Sequence, residues 1–364
     1  MKSKEISYKH TVVVTGGAGF IGSNFLLHCV RRYPQCLFIN VDALTYAGNL
    51  VNLKEIEGAT NYRFEKVDIS DLNAVQLLFE KYPVSHVVHL AAESHVDRSI
   101  TGPMPFVYTN VIGTINLLQT AKEAWKEQYQ GKLFYYVSTD EVYGSLTPDA
   151  PAFTEEHRYD PHSPYSASKA SADHFVRAYH DTYGMPTVIS NCSNNYGPYQ
   201  FPEKLIPLVI QNIINERPIP IYGDGTQIRD WLYVLDHVQA MERILMQGKA
   251  GETYNIGGHN ELQNIQLVRL IIQSVDSILG RSKGYSERLI THITDRPGHD
   301  TRYAINASKI SAELGWHPTY TLQEGMQKTI CWYLNHQEWL QYTTSGAYQN
   351  YYREQYKTAF EGIE

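Results

Sequence analysis

The sequence predicts an α/β protein in which a doubly wound parallel sheet is followed by a smaller mixed α/β lobe. A β-branched run at 11–15 leads directly into a glycine-rich turn at 16–22. Apolar runs typical of buried strands then alternate with helical patterns as far as residue 190. This alternation ends in a loop at 191–198 that is rich in Asn, Gly and Pro. The predicted segments are an N-terminal arm (1–10), a sheet domain (11–198) to which the chain returns near 228–248, a second lobe (199–340) and a tyrosine-rich tail (341–364).

The composition limits the classes of function. A chain of 364 residues, 43% hydrophobic and 19% charged, is typical of a soluble protein of about two domains. The net charge of −7 gives no general attraction to nucleic acid or anionic membrane, so an anionic ligand must be held by particular Arg or Lys residues. The four cysteines show no metal-binding spacing, and no apolar run suits a membrane helix or signal sequence. We therefore expect a cytoplasmic protein without a metal, with no nucleic-acid or membrane partner.

The strand at 11–15 and its glycine turn form the first element. Gly16, Gly19 and Gly22 fit the spacing of a dinucleotide-binding loop, in which small residues let the backbone approach a pyrophosphate at a helix N-terminus. Tight turns use glycine as well, so the turn alone is a weak indication. The next strand ends in Asp42, about 20 residues beyond the last glycine. An acid there accepts ribose hydroxyls and repels a 2′-phosphate, so the pattern predicts a Rossmann-type domain that binds NAD rather than NADP.

The following strands place polar residues at one edge of the sheet. Strands at 63–67 and 86–90 flank a helix at 71–82, and a long helix is predicted at 103–129. Asp68, Ala91–Ala92 and Ser94 follow the strands, where ligands of doubly wound sheets bind. Asp68 is equally compatible with a helix cap, and the neighbouring His95 with a satisfied polar residue.

The strand at 133–137 leads into two adjacent acids, Asp140 and Glu141. Two carboxylates at a strand end repel each other and are costly to desolvate, so they suit a ligand cleft better than a core, although such a pair also often caps the next element. Downstream, Tyr165 and Lys169 are spaced one helical turn apart. We expect the ammonium of Lys169 to favour the phenolate of Tyr165 and make it a base near neutral pH.

The glycine loop, Leu90-Ala91-Ala92 and the Tyr165-x-x-x-Lys169 turn resemble the extended short-chain dehydrogenase/reductase family. Within it, residues 138–144 (Ser-Thr-Asp-Glu-Val-Tyr-Gly) resemble the dehydratases that act on dTDP-glucose. The resemblance implies oxidation at carbon 4, elimination of water across carbons 5 and 6, and reduction at carbon 6, giving dTDP-4-keto-6-deoxyglucose, an early step of deoxysugar synthesis such as that of rhamnose. It implies catalytic roles for Thr139, Asp140, Glu141, Tyr165 and Lys169. It implies NAD, bound tightly and regenerated, at Gly16, Gly19, Phe20, Ile21, Gly22, Asp42, Ala43, Leu44, Thr45, Asp68, Ile69, Leu90, Ala91, Ala92, Ser94, Thr109, Tyr165, Lys169 and Asn195.

The second half supplies the nucleotide-sugar lobe. The run at 187–190 is predicted as the last strand of the sheet, and a helix begins within 201–207 and ends before Pro218. Arg229 beside Asp230 is typical of a surface ion pair, but its place between a glycine turn and an aromatic strand also suits pyrophosphate binding. Arg296 can fork onto phosphate oxygens. The resemblance implies substrate contacts at Ser94, Thr139, Asn194, Lys204, Leu205, Pro220, Ile221, Tyr222, Arg229, Asn264, Arg296, His299 and Tyr356. Thr301 departs from the family pattern, since many relatives carry a second Arg there.

Helices are predicted at 308–314 and 321–336, followed by the tail, whose tyrosines at 342, 348, 351, 352 and 356 are expected to dock onto the core. Relatives dimerise through helices matching 103–125 and 164–183, so a homodimer is expected. Three alternatives stay open: a 4-epimerase, a 4,6-dehydratase for a UDP-, GDP- or CDP-sugar, and a non-catalytic dinucleotide-binding regulator. The Tyr165–Lys169 pair argues against the last. No residue identifies thymine by itself.

Overall fold

The computed structural model describes residues 7–345 together with 348, 349, 352, 355 and 356. The strands are β1 (His10–Thr15), β2 (Cys36–Asp42), β3 (Tyr62–Lys66), β4 (His86–His89), β5 (Leu133–Thr139), β6 (Thr187–Cys192), β7 (Asn194–Tyr196), β8 (Ile219–Tyr222), β9 (Ile228–Tyr233), β10 (Thr253–Ile256), β11 (Glu261–Gln263) and β12 (Ile290–Ile293). The helices are α1 (Phe20–Arg32), α2 (Leu72–Lys81), α3 (Val96–Thr101), α4 (Met104–Phe106), α5 (Gly113–Trp125), α6 (Pro164–Tyr183), α7 (Leu205–Ile214), α8 (Val234–Gln247), α9 (Asn264–Ile278), α10 (Ser308–Leu314), α11 (Leu322–Asn335) and α12 (Gln337–Thr343). No helix among these described residues is long and apolar enough to cross a bilayer.

Seven parallel strands form the central sheet in the order β10-β6-β5-β4-β1-β2-β3. Except for the edge strand β3, the strands are buried on both faces, as expected for β-branched runs without alternation. One face packs against α1, α8 and α10, and the other against α2, α5 and α6. The predicted doubly wound sheet is confirmed. The prediction that 187–190 is its last strand is wrong, because β10 pairs outside β6 after the chain has passed through α8.

Two other local predictions are wrong. The long helix predicted at 103–129 consists of α4, a π-helical turn at Val107–Ile112, and α5, which ends at Lys126 in a left-handed conformation. π-helical turns accumulate at functional sites, and this one lies beside the sheet edge. The loop predicted at 191–198 contains β7, whose strand pairs with β9. The helix predicted to begin within 201–207 and to end before Pro218 is α7, so that prediction is confirmed.

The second lobe is built on a three-stranded sheet, β11-β9-β7, and a parallel pair, β12-β8. Its apolar core lies among α7, α9 and α11. The tail docks against this lobe: the Tyr348 hydroxyl donates to the Pro202 carbonyl at 3.0 Å, and Tyr352 accepts from Asn212 at 3.1 Å. Tyr356 is buried, but Tyr342 is 63% exposed, so docking was wrong for that residue. Tyr351 lies outside the described residues.

Candidate active site

The glycine turn between β1 and α1 forms a cradle at the sheet edge. Gly16 adopts a φ of 68°, and its carbonyl accepts the Gly19 N–H at 3.1 Å. A Cβ on Gly16 would stand 2.7 Å from the Ala91 nitrogen, and one on Gly22 would stand 2.2 Å from the Gly16 oxygen. The backbone therefore approaches itself as closely as glycine permits, which leaves the N-terminus of α1 open to an anionic group.

Asp42 ends β2 beside this cradle and is buried. One carboxylate oxygen accepts the Ala18 N–H at 3.0 Å and the other accepts the Leu44 N–H at 2.8 Å. Burial raises the pKa of Asp42, and these two hydrogen bonds oppose the shift. Each oxygen retains lone pairs for further donors, so the carboxylate is oriented to accept ribose hydroxyls. The cradle and Asp42 fit a dinucleotide of the NAD type.

A cavity runs from the cradle to the end of β5. It is lined by every residue assigned from the sequence to the cofactor except Leu44, which contributes the backbone N–H that holds Asp42. Asp68 also lines this cavity, and its carboxylate accepts from Ser70 at 2.7 Å. The alternative of a helix cap is wrong for Asp68, because the Asp71 side chain caps α2.

Asp140 and Glu141 begin a single helical turn at the end of β5. Asp140 is 2% exposed, and burial, Glu141 and Asp230 all raise its pKa well above the ordinary value. Burial also raises the pKa of Glu141, but the cations of Lys204 and Arg229 oppose that shift. The pKa values of the two neighbouring carboxyl groups are thereby separated, with Asp140 favoured as the protonated acid and Glu141 as the carboxylate.

Tyr165 and Lys169 project from the first turns of α6 toward the same cavity. The Lys169 ammonium donates to the Val137 carbonyl at 2.8 Å and lies 4.0 Å from the centre of the Tyr136 ring. Burial and the charge of Glu141 raise the pKa of Tyr165 well above its usual value, against a hydrogen bond with Thr139. The pKa of Tyr165 therefore does not show the expected downward shift, because the cost of desolvating the phenolate outweighs the hydrogen bond with Thr139.

A second cavity lies between the sheet edge and the second lobe and meets the first at Glu141, Asn194 and Lys204. Lys204 is fixed by donating to the Ser94 carbonyl at 2.7 Å. Of the residues assigned from the sequence to the substrate, only Ser94 and Thr139 do not line this cavity, and both line the first. The predicted cofactor and substrate residues therefore line two cavities that join at Glu141.

Both predicted arginines lie in this second cavity. Arg229 is 7% exposed, donates to the Asp300 carbonyl at 2.9 Å and stacks over Tyr303 at 4.1 Å, so it is not in a surface ion pair with Asp230. Arg296 is held by both oxygens of Asp97, at 2.6 and 3.0 Å. Two guanidinium groups in a half-enclosed cavity suit a pyrophosphate.

Several lining residues were not found from the sequence. Glu203 bridges Tyr46, at 2.9 Å, and Arg98, at 3.3 Å, directly beside Lys204. Its only indication in the sequence is its position in the run Phe201-Pro202-Glu203-Lys204. Asp97 does not line the cavity but holds Arg296 in it, and the sequence gave no indication of this pairing, because the two residues are 199 positions apart in the chain.

The sheet, the glycine cradle and the Tyr165–Lys169 turn define the class of the protein as an extended short-chain dehydrogenase/reductase. A family model described as GDP-mannose 4,6 dehydratase matches residues 13–329. The dTDP-glucose 4,6-dehydratase of Salmonella typhimurium is 52% identical over 358 residues, which cover 95% of this chain and 99% of that protein. On these findings the chain belongs to the dTDP-glucose 4,6-dehydratase family.

Solved structures of the same family are also similar to this chain. The dTDP-glucose 4,6-dehydratase of Bacillus anthracis in complex with NAD superposes with a TM-score of 0.80 at 45% identity, covering 91% of this chain and 98% of that one. The dTDP-glucose 4,6-dehydratase of Streptomyces venezuelae, also solved with NAD bound, gives 0.82 at 42% identity, covering 90% and 98%.

Proposed function

We propose that the protein dehydrates dTDP-glucose to dTDP-4-keto-6-deoxyglucose and water, as an early step of deoxysugar synthesis such as that of dTDP-rhamnose. The observation that carries the proposal is that Asp140 and Glu141 line the first cavity together with Tyr165 and Lys169, and that Glu141 also lines the second cavity. A site for oxidation and a site for elimination therefore face the same bound sugar.

NAD fits the first cavity, held by the glycine cradle, Asp42, Tyr165 and Lys169. Bound there, it supplies a reversible acceptor for the hydride of carbon 4, which carbon 6 later receives. Asn195, which lines both cavities, has its side chain fixed by an amide donation to the Ser193 carbonyl at 2.9 Å and by contact with His237 at 2.9 Å. The nucleotide diphosphate of the substrate would lie in the second cavity, against Arg229 and Arg296.

The protein groups divide the proton transfers among them. Tyr165, deprotonated beside the ammonium of Lys169, takes the proton of the carbon-4 hydroxyl, and the ketone formed there makes the carbon-5 proton acidic. Glu141, the carboxylate of the pair, removes that proton. Asp140, whose raised pKa keeps it protonated, delivers a proton to the departing carbon-6 hydroxyl, which leaves as water.

A deuterium label at carbon 4 tests the proposal. If one bound sugar undergoes both steps, the label appears in the carbon-6 methyl group of the same molecule, with no crossover between two distinguishable sugars. A 4-epimerase would return the label to carbon 4 and form no methyl group, and a non-catalytic regulator would move no label. A panel of UDP-, GDP- and CDP-sugars in the same assay identifies the base.

We further propose a cytoplasmic homodimer. Apolar side chains of 38–56% exposure cluster on the helices predicted for the interface: Met104, Val107, Tyr108, Ile112, Phe175 and Tyr183. Contiguous exposed apolar surface of this kind marks a site of association. All four cysteines are free thiols, as a reducing compartment favours. Sedimentation would show two chains per particle, and Tyr108→Asp would shift the protein to one; cell fractionation tests the location.

A further inference from the structure

Helix α6 carries a buried carboxylate that the proposed reaction does not use. Asp173 lies one helical turn beyond Lys169, and neither side chain is accessible: Asp173 is 0% and Lys169 3% exposed. Neither oxygen of Asp173 has a described donor in full hydrogen-bonding geometry, although the hydroxyls of Ser138 and Tyr159 lie near enough to act on it. A carboxylate in such a position is costly, so its presence beside the catalytic turn needs a physical reason.

The neighbours of Lys169 provide that reason, because they carry no other negative charge. On β5, it contacts the Val137 carbonyl and the Tyr136 ring. On β6, burial raises the pKa of the Cys192 thiol to about 12, so the thiol is neutral. On β4, burial holds the pKa of His89 well below its usual value, so the imidazole is neutral too.

Burial lowers the pKa of Lys169 to about 8, and Asp173 is the first group that opposes this shift. In the described part of the chain, no carboxylate lies within salt-bridge distance of Lys169, so Asp173 acts across the helical turn. A buried ammonium without a nearby negative charge would lose its proton in the neutral range.

The surroundings of Asp173 keep it ionised at neutral pH. Burial raises its pKa to about 6, and Lys169, the hydroxyls of Ser138 and Tyr159, and Arg177 oppose that shift. Arg177 is anchored nearby, since it donates to the Tyr159 hydroxyl at 2.9 Å. The remaining phenols around the carboxylate are neutral, because burial raises the pKa values of Tyr136 and Tyr143.

We propose that Asp173 is a positioning residue for the reaction: its buried charge keeps Lys169 in the ammonium form beside Tyr165. This inference rests on the proposed function, in which Tyr165 must release a proton to act as the base. Asp173 lines neither cavity, so it acts on the reaction through a neighbouring residue, and Lys169 is the cavity residue whose positive charge it favours.

The test is the pH profile of kcat/KM for dTDP-glucose with Asp173→Asn. Without the carboxylate, Lys169 loses its proton at lower pH, so the alkaline limb of the profile shifts to lower pH by about one unit or more. At pH values above the limb, kcat/KM of the variant is then about tenfold below that of the wild type. Asp173→Glu, which retains the charge, restores the limb. Asp181→Asn on the exposed end of the same helix is the matched control and leaves the limb in place.

A second readout needs no substrate. The folded-state pKa of Asp173, about 6, lies above the ordinary value of 3.8, so in wild type this group lowers stability as pH rises between these values. Asp173→Asn removes that part of the pH dependence of the unfolding free energy.

The outcomes separate the two proposals. If Asp173→Asn lowers turnover by the same factor at every pH and leaves the alkaline limb unmoved, Asp173 has only a packing role and the inference is overturned. Absence of any turnover of dTDP-glucose by the wild type would instead overturn the proposed function. If circular dichroism shows that Asp173→Asn does not fold, Asp173→Ser, which also removes the charge, is used instead. The same shift of the alkaline limb of kcat/KM is then the test.

Discussion

Replacing Gly22 with Ala tests how closely the glycine cradle is fitted to its ligand. The added Cβ would stand 2.2 Å from the Gly16 oxygen and 2.7 Å from the Gly17 Cα, where ordinary contact begins at 3.4 Å. Both neighbours are backbone atoms that cannot rotate away, so α1 and the turn must separate by about 1 Å. Overpacking of this kind costs about 1–3 kcal/mol, which is about five- to 150-fold in affinity if the strain is relieved at the ligand.

The assay is the amount of NAD released per chain on denaturation of the purified protein, followed by titration of NAD into stripped protein. Gly22→Ala should retain little NAD and bind it at least fivefold more weakly, by about 1 kcal/mol or more. Gly58→Ala is the matched control, because a Cβ there meets nothing within 4 Å. Wild-type affinity in Gly22→Ala would mean that the ligand does not lie on this turn, and the cradle assignment would have to be abandoned.

Three further substitutions probe the chemistry and the second cavity. Tyr165→Phe should prevent oxidation, so no absorbance of reduced cofactor appears on adding substrate, whereas Glu141→Gln should let that absorbance accumulate. Each substitution should lower kcat about 10²- to 10⁴-fold. Equal, small effects of the two substitutions would show that the active site is assigned to the wrong residues. Asp97→Asn should release Arg296 from its ion pair and raise KM for the nucleotide sugar about tenfold with a smaller effect on kcat; an unchanged KM would show that Arg296 needs no such support.

Much of the first cavity could be predicted because its residues are encoded locally. Each follows a strand within a few positions, and a parallel sheet brings the carboxyl ends of its strands to one edge whatever the details of packing. Gly16, Asp42 and Glu141 were therefore placed together correctly from spacing alone. Residues of the second cavity, such as Arg229, were placed by family resemblance, since their local pattern equally suited a surface ion pair.

What the sequence could not predict depends on distant contacts. β10 is a four-residue strand after α8, and nothing in its own pattern says that it pairs outside β6. The pairing of Asp97 with Arg296 is likewise non-local. The upward pKa shift of Tyr165 belongs with these, because the cost of desolvation depends on the burial that tertiary packing imposes.

The contacts of Thr139 suggest how the proposed reaction balances its protons. The Thr139 hydroxyl donates to Asp140 at 3.3 Å and hydrogen-bonds with Tyr165, so it stands between the group that gains a proton at carbon 4 and the group that loses one at carbon 6. Glu141, by contrast, both takes and returns the carbon-5 proton and ends each turnover unchanged. The only net transfer the protein must make is therefore from Tyr165 to Asp140, and Thr139 offers the shortest route. Because that route lies inside the site, water can be eliminated without drawing a proton from solvent.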